Sequence, residues 1–147
     1  MKQNILIVVG SPKNRVGNSE SIADCLMDKL NNKNEDCSKI YLRKETERKA
    51  GLIEQVRNAD IIIFSIPVYE NSVPGLVLEF FEFLHQNKDK LSGKIRKMLA
   101  ISNSGFPEPE ANHCAIDCCR LFTGKIGLNK IAARWLAKAM VQRFFYL

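Results

Sequence analysis

The chain reads as an α/β protein built on a doubly wound parallel sheet with helices on both faces. Short apolar runs rich in β-branched residues alternate with stretches of helical periodicity, the signature of strands joined by helical crossovers. The clearest run, Ile61-Ile62-Ile63-Phe64-Ser65-Ile66, is apolar at nearly every position, as a strand covered on both faces requires. At 147 residues the chain is long enough to bury a sizeable core and is expected to form one domain over 1–147.

The first strand is expected at about Asn4 to Val9, where an aliphatic run stops at Gly10. Helical spacing of Ile22, Ala23, Leu26 and Leu30 begins after Asn18, which suits an N-cap, and Glu20 suits the first turn. Cys37 to Leu42 is a weaker strand, short enough for the sheet edge. Leu52, Ile53 and Val56 mark a short helix over Ala50 to Asn58. After the strand Ile61–Ile66, Pro67 breaks the run, and Pro74 suits the start of the next helix, where its missing N–H is not needed. Leu76, Phe80, Phe81 and Leu84 form that helix's inner stripe, with Glu79 and Glu82 turned to water. Lys97 to Ser102 is the fourth strand, and Pro109 opens a helix running to about Gly124. Lys130 to Ala133 is expected as a short fifth strand. Arg134 to Leu147 is expected as a closing helix, with Trp135, Leu136, Ala139, Met140 and Phe144 on one stripe.

Composition excludes several classes. Hydrophobic residues at 46% and charged residues at 26% match a globular domain rather than a disordered chain. No apolar run approaches the ~20 residues that cross a bilayer. Met1-Lys2-Gln3-Asn4 leads straight into a strand without a signal-peptide core, so a cytoplasmic protein without a membrane partner is expected. The net charge of +6 is spread over clusters that glutamates and aspartates interrupt, and no nucleic-acid module accompanies it. A basic surface does favour anionic small molecules. The five cysteines, Cys25, Cys37, Cys114, Cys118 and Cys119, are odd in number and lack disulfide-framework spacing, which suits reduced thiols. Cys114 and Cys118 fall on one helix face near His113. Without a C-x-x-C they do not make a metal-site pattern, and no metal is expected.

In a doubly wound sheet, ligands bind beyond the carboxyl ends of the strands. Three such loops carry unusual chemistry. In Gly10-Ser11-Pro12-Lys13-Asn14-Arg15-Val16-Gly17-Asn18-Ser19 a strand gives way to a polar loop and a helix start, where unpaired N–H groups attract an anion. Ser11, Asn18 and Ser19 add side-chain donors. The spacing matches neither a Walker loop nor G-x-G-x-x-G. The second loop, Pro67-Val68-Tyr69-Glu70-Asn71-Ser72-Val73-Pro74-Gly75, joins two rigid prolines to an aromatic face and polar groups at Asn71 and Ser72. The third, Ser102-Asn103-Ser104-Gly105-Phe106-Pro107-Glu108, includes a glycine that permits close backbone approach, and Glu108 is placed to cap the next helix.

The first loop resembles the Gly-Ser-Pro-Arg/Lys…Gly-Asn-Ser loop of the NAD(P)H-dependent FMN reductase family. The second resembles that family's Pro-x-Tyr-x-x-Ser-x-Pro loop, and the third its strand-four loop. The resemblance covers roughly residues 4–128. It implies a flavodoxin-like fold with strand order 2-1-3-4-5 and FMN as cofactor. It also implies cofactor contacts at Ser11, Lys13, Asn18, Ser19, Pro67, Val68, Tyr69, Asn71, Ser72, Asn103, Ser104 and Gly105. The implied activity takes hydride from NAD(P)H, with NADPH or NADH as donor, and passes electrons to a small acceptor such as flavin or quinone. A homodimer is the implied assembly. Residues 131–147 depart from the family, lacking its glycine-rich fifth-strand segment. Two alternatives stay open: a flavodoxin-like electron carrier, against which the basic charge argues, and a degenerate member that binds no flavin. No catalytic residue is expected, since His85 and His113 lie in unsuitable contexts and a flavin carries its own redox chemistry.

Overall fold

The computed structural model describes residues 2–44, 49–105, 108–126 and 136–137. In chain order the elements are β1 (Asn4–Val9), α1 (Asn18–Asn31), β2 (Asp36–Tyr41), α2 (Lys49–Asn58), β3 (Ile61–Pro67), α3 (Gly75–Gln86), β4 (Lys97–Asn103), α4 (His113–Lys125) and β5 (Leu136–Ala137). They form one parallel sheet in the order β2-β1-β3-β4-β5, the doubly wound arrangement read from the sequence.

The consecutive apolar positions of β1 follow from this placement. Leu6 and Val8 face a core shared with α2, α3 and α4, whereas Ile5, Ile7 and Val9 face α1. Both sides of the strand are therefore buried, and no alternation of polarity survives. On the larger side the Phe64 ring meets Phe81 edge-on at 5.4 Å, and Phe81 stacks on Phe122 at 3.9 Å. These three rings tie β3, α3 and α4 together. Val77, absent from the expected stripe of α3, is wholly buried there, while Leu76 is only partly covered.

Three local expectations need correction. Gly17, not Asn18, caps α1, with extended backbone and no side-chain cap bond, so Asn18 is the first helical residue. Glu108 precedes a 3₁₀ turn (Pro109–Asn112) but makes no side-chain cap bond. The fifth strand lies at Leu136–Ala137, six residues beyond the expected start, inside the segment read as helix. Leu136 pairs with Ile101 and Ala137 with Ser102. Leucine and alanine have good helix propensity, but pairing with the open edge of β4 overrides that weak local preference. The strand expected at 130–133 and the rest of the expected closing helix lie outside the described residues.

All five cysteines are free thiols. Cys25 and Cys114 are exposed, Cys37 and Cys118 half-buried, and Cys119 buried beneath α4. Burial pushes the Cys119 thiol up to about 12, and raises Cys118 and Cys37 as well. Because the thiolate is the reacting form, an aromatic disulfide reagent at pH 8 should modify Cys25 and Cys114 first. Cys119 should stay silent until denaturant is added. Rapid modification of Cys119 in the native protein, read by peptide mass, contradicts this packing. Among the described residues no group of three or more His, Cys, Asp or Glu is placed to hold a metal ion. Among the same residues no helix is long and apolar enough to cross a membrane.

Candidate functional site

A cleft of about 450 Å³ opens at the carboxyl ends of β1, β3 and β4. That is within the size range of small-molecule sites. Its floor and walls come from the three loops singled out in the sequence. Ser11, Lys13, Asn18 and Ser19 line it from the first loop, Pro67, Val68 and Tyr69 from the second, and Asn103, Ser104 and Gly105 from the third. Asn71 and Ser72 do not line it. Tyr69 and Ser72 exchange backbone hydrogen bonds at 3.0 and 2.9 Å, closing a tight turn. Its two central residues, Glu70 and Asn71, take left-handed φ of 49° and 57°. Asn71 and Ser72 are both exposed in this turn.

Sequence reasoning missed Arg15, Val16 and Gly17, which complete the first wall. The signal was present: they occupy the same strand-to-helix loop as Lys13. Val16 is an aliphatic side chain 70% exposed that lines the cleft together with the partly exposed ring of Tyr69.

The floor is braced by polar groups rather than by packing alone. The Asn103 side-chain amide donates to Ser19 Oγ at 2.8 Å and to the Ile66 carbonyl at 3.1 Å. The Ser65 hydroxyl donates to the Ser19 carbonyl at 2.7 Å, and the Val68 N–H donates to the Asn103 carbonyl at 2.8 Å. Residues up to 84 positions apart in sequence thus fix the start of α1 against the ends of β3 and β4. Each bond contributes roughly 0.5–1.5 kcal/mol net, but together they set the loop positions. In the first loop the Ser11 hydroxyl accepts from the Lys13 N–H at 3.4 Å. Asn112, the buried residue immediately before α4, donates to Ser104 Oγ at 3.3 Å.

The donor set suits an organic phosphate. The N-terminus of α1 opens on the cleft with Gly17, Asn18 and Ser19 in its wall. Lys13 and Arg15 add positive charge, and none of the lining residues is acidic. A helix N-terminus with hydroxyl, amide and cationic side chains binds phosphate well. Beyond it, Pro67, Val68 and Tyr69 offer a largely apolar wall for a planar ring system. The residues present therefore fit FMN.

Fold and cleft together define a flavodoxin-like α/β protein with a phosphate-ready site at the β1–β3 divergence. Residues 3–115 match the NADPH-dependent FMN reductase family, and the chain belongs to that family of flavin-dependent oxidoreductases. No curated protein matches the chain. Among solved structures, an apo NADH:FMN oxidoreductase superposes with a TM-score of 0.71 at 21% identity, covering 91% of this chain and 75% of that one. The Trp repressor binding protein from Bacillus subtilis gives 0.69 at 18% identity, covering 89% and 80%. An NAD(P)H:quinone oxidoreductase from Methanothermobacter marburgensis gives 0.67 at 12% identity, covering 92% and 84%. At these identities the likeness is one of fold.

Proposed function

We propose that this protein holds FMN in the cleft, takes reducing equivalents from NADPH or NADH, and passes them to a small acceptor such as a free flavin or a quinone. The observation that carries the reading is the cleft itself: a helix N-terminus and two cations at one end, an apolar aromatic wall at the other, and no carboxylate among the described residues that line it. Bound FMN supplies the hydride and electron chemistry, so the chain need not provide an acid–base triad. Its residues bind and orient. Ser11, Asn18 and the N–H groups at the start of α1 hold the phosphate, with Lys13 and Arg15 neutralising its charge. Tyr69 and Val68 flank the ring system, and Ser104 and Gly105 approach it from β4. Asn103 and Ser19 act chiefly by holding these loops in register. The family's name and the basic net charge both favour a phosphorylated nicotinamide donor.

Titration of the apo protein tests the cofactor assignment. FMN should bind with quenching of its fluorescence, and more tightly than riboflavin. The Ser11→Ala/Asn18→Ala protein should lose FMN affinity far more than riboflavin affinity, since charge-assisted bonds to phosphate contribute roughly 1.5–3 kcal/mol each. Equal loss for both ligands places the phosphate elsewhere. Under anaerobic conditions NADPH or NADH should bleach the bound flavin, and added quinone should restore its colour. Reduction by dithionite but by neither nicotinamide points instead to an electron carrier.

A further inference from the structure

We infer that Arg43 is a positioning residue for the phosphate end of the cleft, making the protein selective for phosphorylated flavin by neutralising a buried carboxylate. The inference rests on the assignment of the phosphate to the N-terminus of α1. Glu20 is the third residue of α1, immediately after two residues of the cleft wall, and its side chain is only 12% exposed. A carboxylate at this position interacts well with the helix dipole. It also sits at the terminus that must attract an anionic ligand, where an uncompensated negative charge repels it.

Arg43 answers that charge. It follows β2 in a 3₁₀ turn (Leu42–Lys44), and Tyr41 at the end of β2 pairs in register with Val9 at the end of β1. The turn is thereby brought beside the first loop. The Arg43 Nη2 approaches Glu20 Oε2 at 3.5 Å, and the Arg43 side chain is 11% exposed. Its guanidinium packs over the Tyr41 ring, 4.6 Å from the centroid, which fixes its plane. The second terminal nitrogen, Nη1, is buried and makes no hydrogen bond among the described residues. Among the described residues no other cation pairs with Glu20: Lys39 is paired with Asp24, and Lys44, though it also packs over the Tyr41 ring at 4.8 Å, is exposed. Arg43 thus brings to this terminus a cation with unused donor capacity, and takes Glu20 out of the electrostatic balance.

The test is the ratio of FMN to riboflavin affinity, measured by fluorescence titration of wild type, Arg43→Gln, Arg43→Lys and Glu20→Gln/Arg43→Gln. Arg43→Gln is expected to weaken FMN about tenfold while riboflavin changes less than about threefold, since a buried carboxylate is left unpaired beside the phosphate. Arg43→Lys should keep most of the preference. Removing the carboxylate as well should restore it in the double variant, an outcome that a merely structural role for Arg43 does not produce. An FMN preference unaltered in Arg43→Gln, or one that Glu20→Gln fails to rescue, overturns this inference alone. A wild-type protein that prefers neither ligand overturns the phosphate assignment and this inference with it.

Discussion

An Arg96→Met protein should unfold with about 3–5 kcal/mol less stability than wild type, a large share of the roughly 5–15 kcal/mol available to a domain. Arg96 lies just before β4 and is fully buried, at 0% exposure. Among the described residues it has no carboxylate partner within bonding distance. Instead its guanidinium donates to four backbone carbonyls: Val56 at 3.0 Å, Leu91 at 2.7 Å, Lys94 at 3.1 Å and Arg57 at 2.9 Å. Two of these belong to the last turn of α2, whose final carbonyls have no intrahelical donor. Lys94 serves a third, donating to the Asn58 carbonyl at 2.7 Å. The cations thus satisfy orphan acceptors and complement the negative end of the helix dipole. Burial lowers the Arg96 pKa from its ordinary value and Arg57 adds to that, while Asp60 acts in the opposite sense. Asp60 is itself held below the usual carboxylate range by Lys94 and the Asn4 N–H. Methionine fills similar space but leaves the acceptors bare in a dry site, at about 1–3 kcal/mol for each that water cannot reach. Arg96→Lys should recover only part of the loss, because one ammonium cannot reproduce the guanidinium fork. Chemical denaturation read by circular dichroism measures both. A loss under about 1 kcal/mol for Arg96→Met refutes this account.

Arg96 also marks a limit of sequence reading. Within Lys88 to Lys97 it was one basic residue among several, and nothing local distinguishes a buried cation from a solvated one. Its partners are carbonyls of α2, about 40 positions earlier. The strands were legible because burial on both faces leaves uninterrupted apolar runs, and the crevice because topology assigns ligands to three particular loops. Within those loops, residue type alone left two things undetermined. Asn71 and Ser72 were expected as cofactor contacts, but the left-handed pair Glu70–Asn71 belongs to a tight turn and stands outside the cleft lining. Asn103 and Ser19 do line the cleft, yet their side chains bond each other, a pairing that only the assembled sheet creates. β5 was misplaced because a two-residue strand has no periodicity of its own and is defined by its neighbour.

Gly10→Val should be the most damaging single substitution at the cleft's base. Gly10 ends the apolar run of β1 and donates its N–H to the Ser65 carbonyl at 2.9 Å, which seats it against β3. The absence of a side chain is what permits that approach. A Cβ added there falls 2.6 Å from Ile66 Cγ2 and 2.7 Å from Val77 Cγ2, well inside van der Waals contact. Ile66 and Val77 are themselves fully buried, so neither methyl can retreat into solvent. Even alanine must therefore shift β1 away from β3 and α3, at about 1–3 kcal/mol for overpacking, and the branched valine lies at or above the upper end. The consequence for function follows from what comes next in the chain. Ser11 and Lys13 are carried on the residues leaving Gly10, and Pro67 follows Ile66, so the shift moves two walls of the cleft at once. Both melting temperature and FMN affinity should fall in Gly10→Ala and fall further in Gly10→Val. Val77→Ala removes one of the two colliding methyls, so combining it with Gly10→Ala should destabilise less than the sum of the single changes. Strict additivity, or a Gly10→Ala protein that melts and binds FMN like wild type, means that β1 is not wedged here and that the glycine owes its place to something other than close approach.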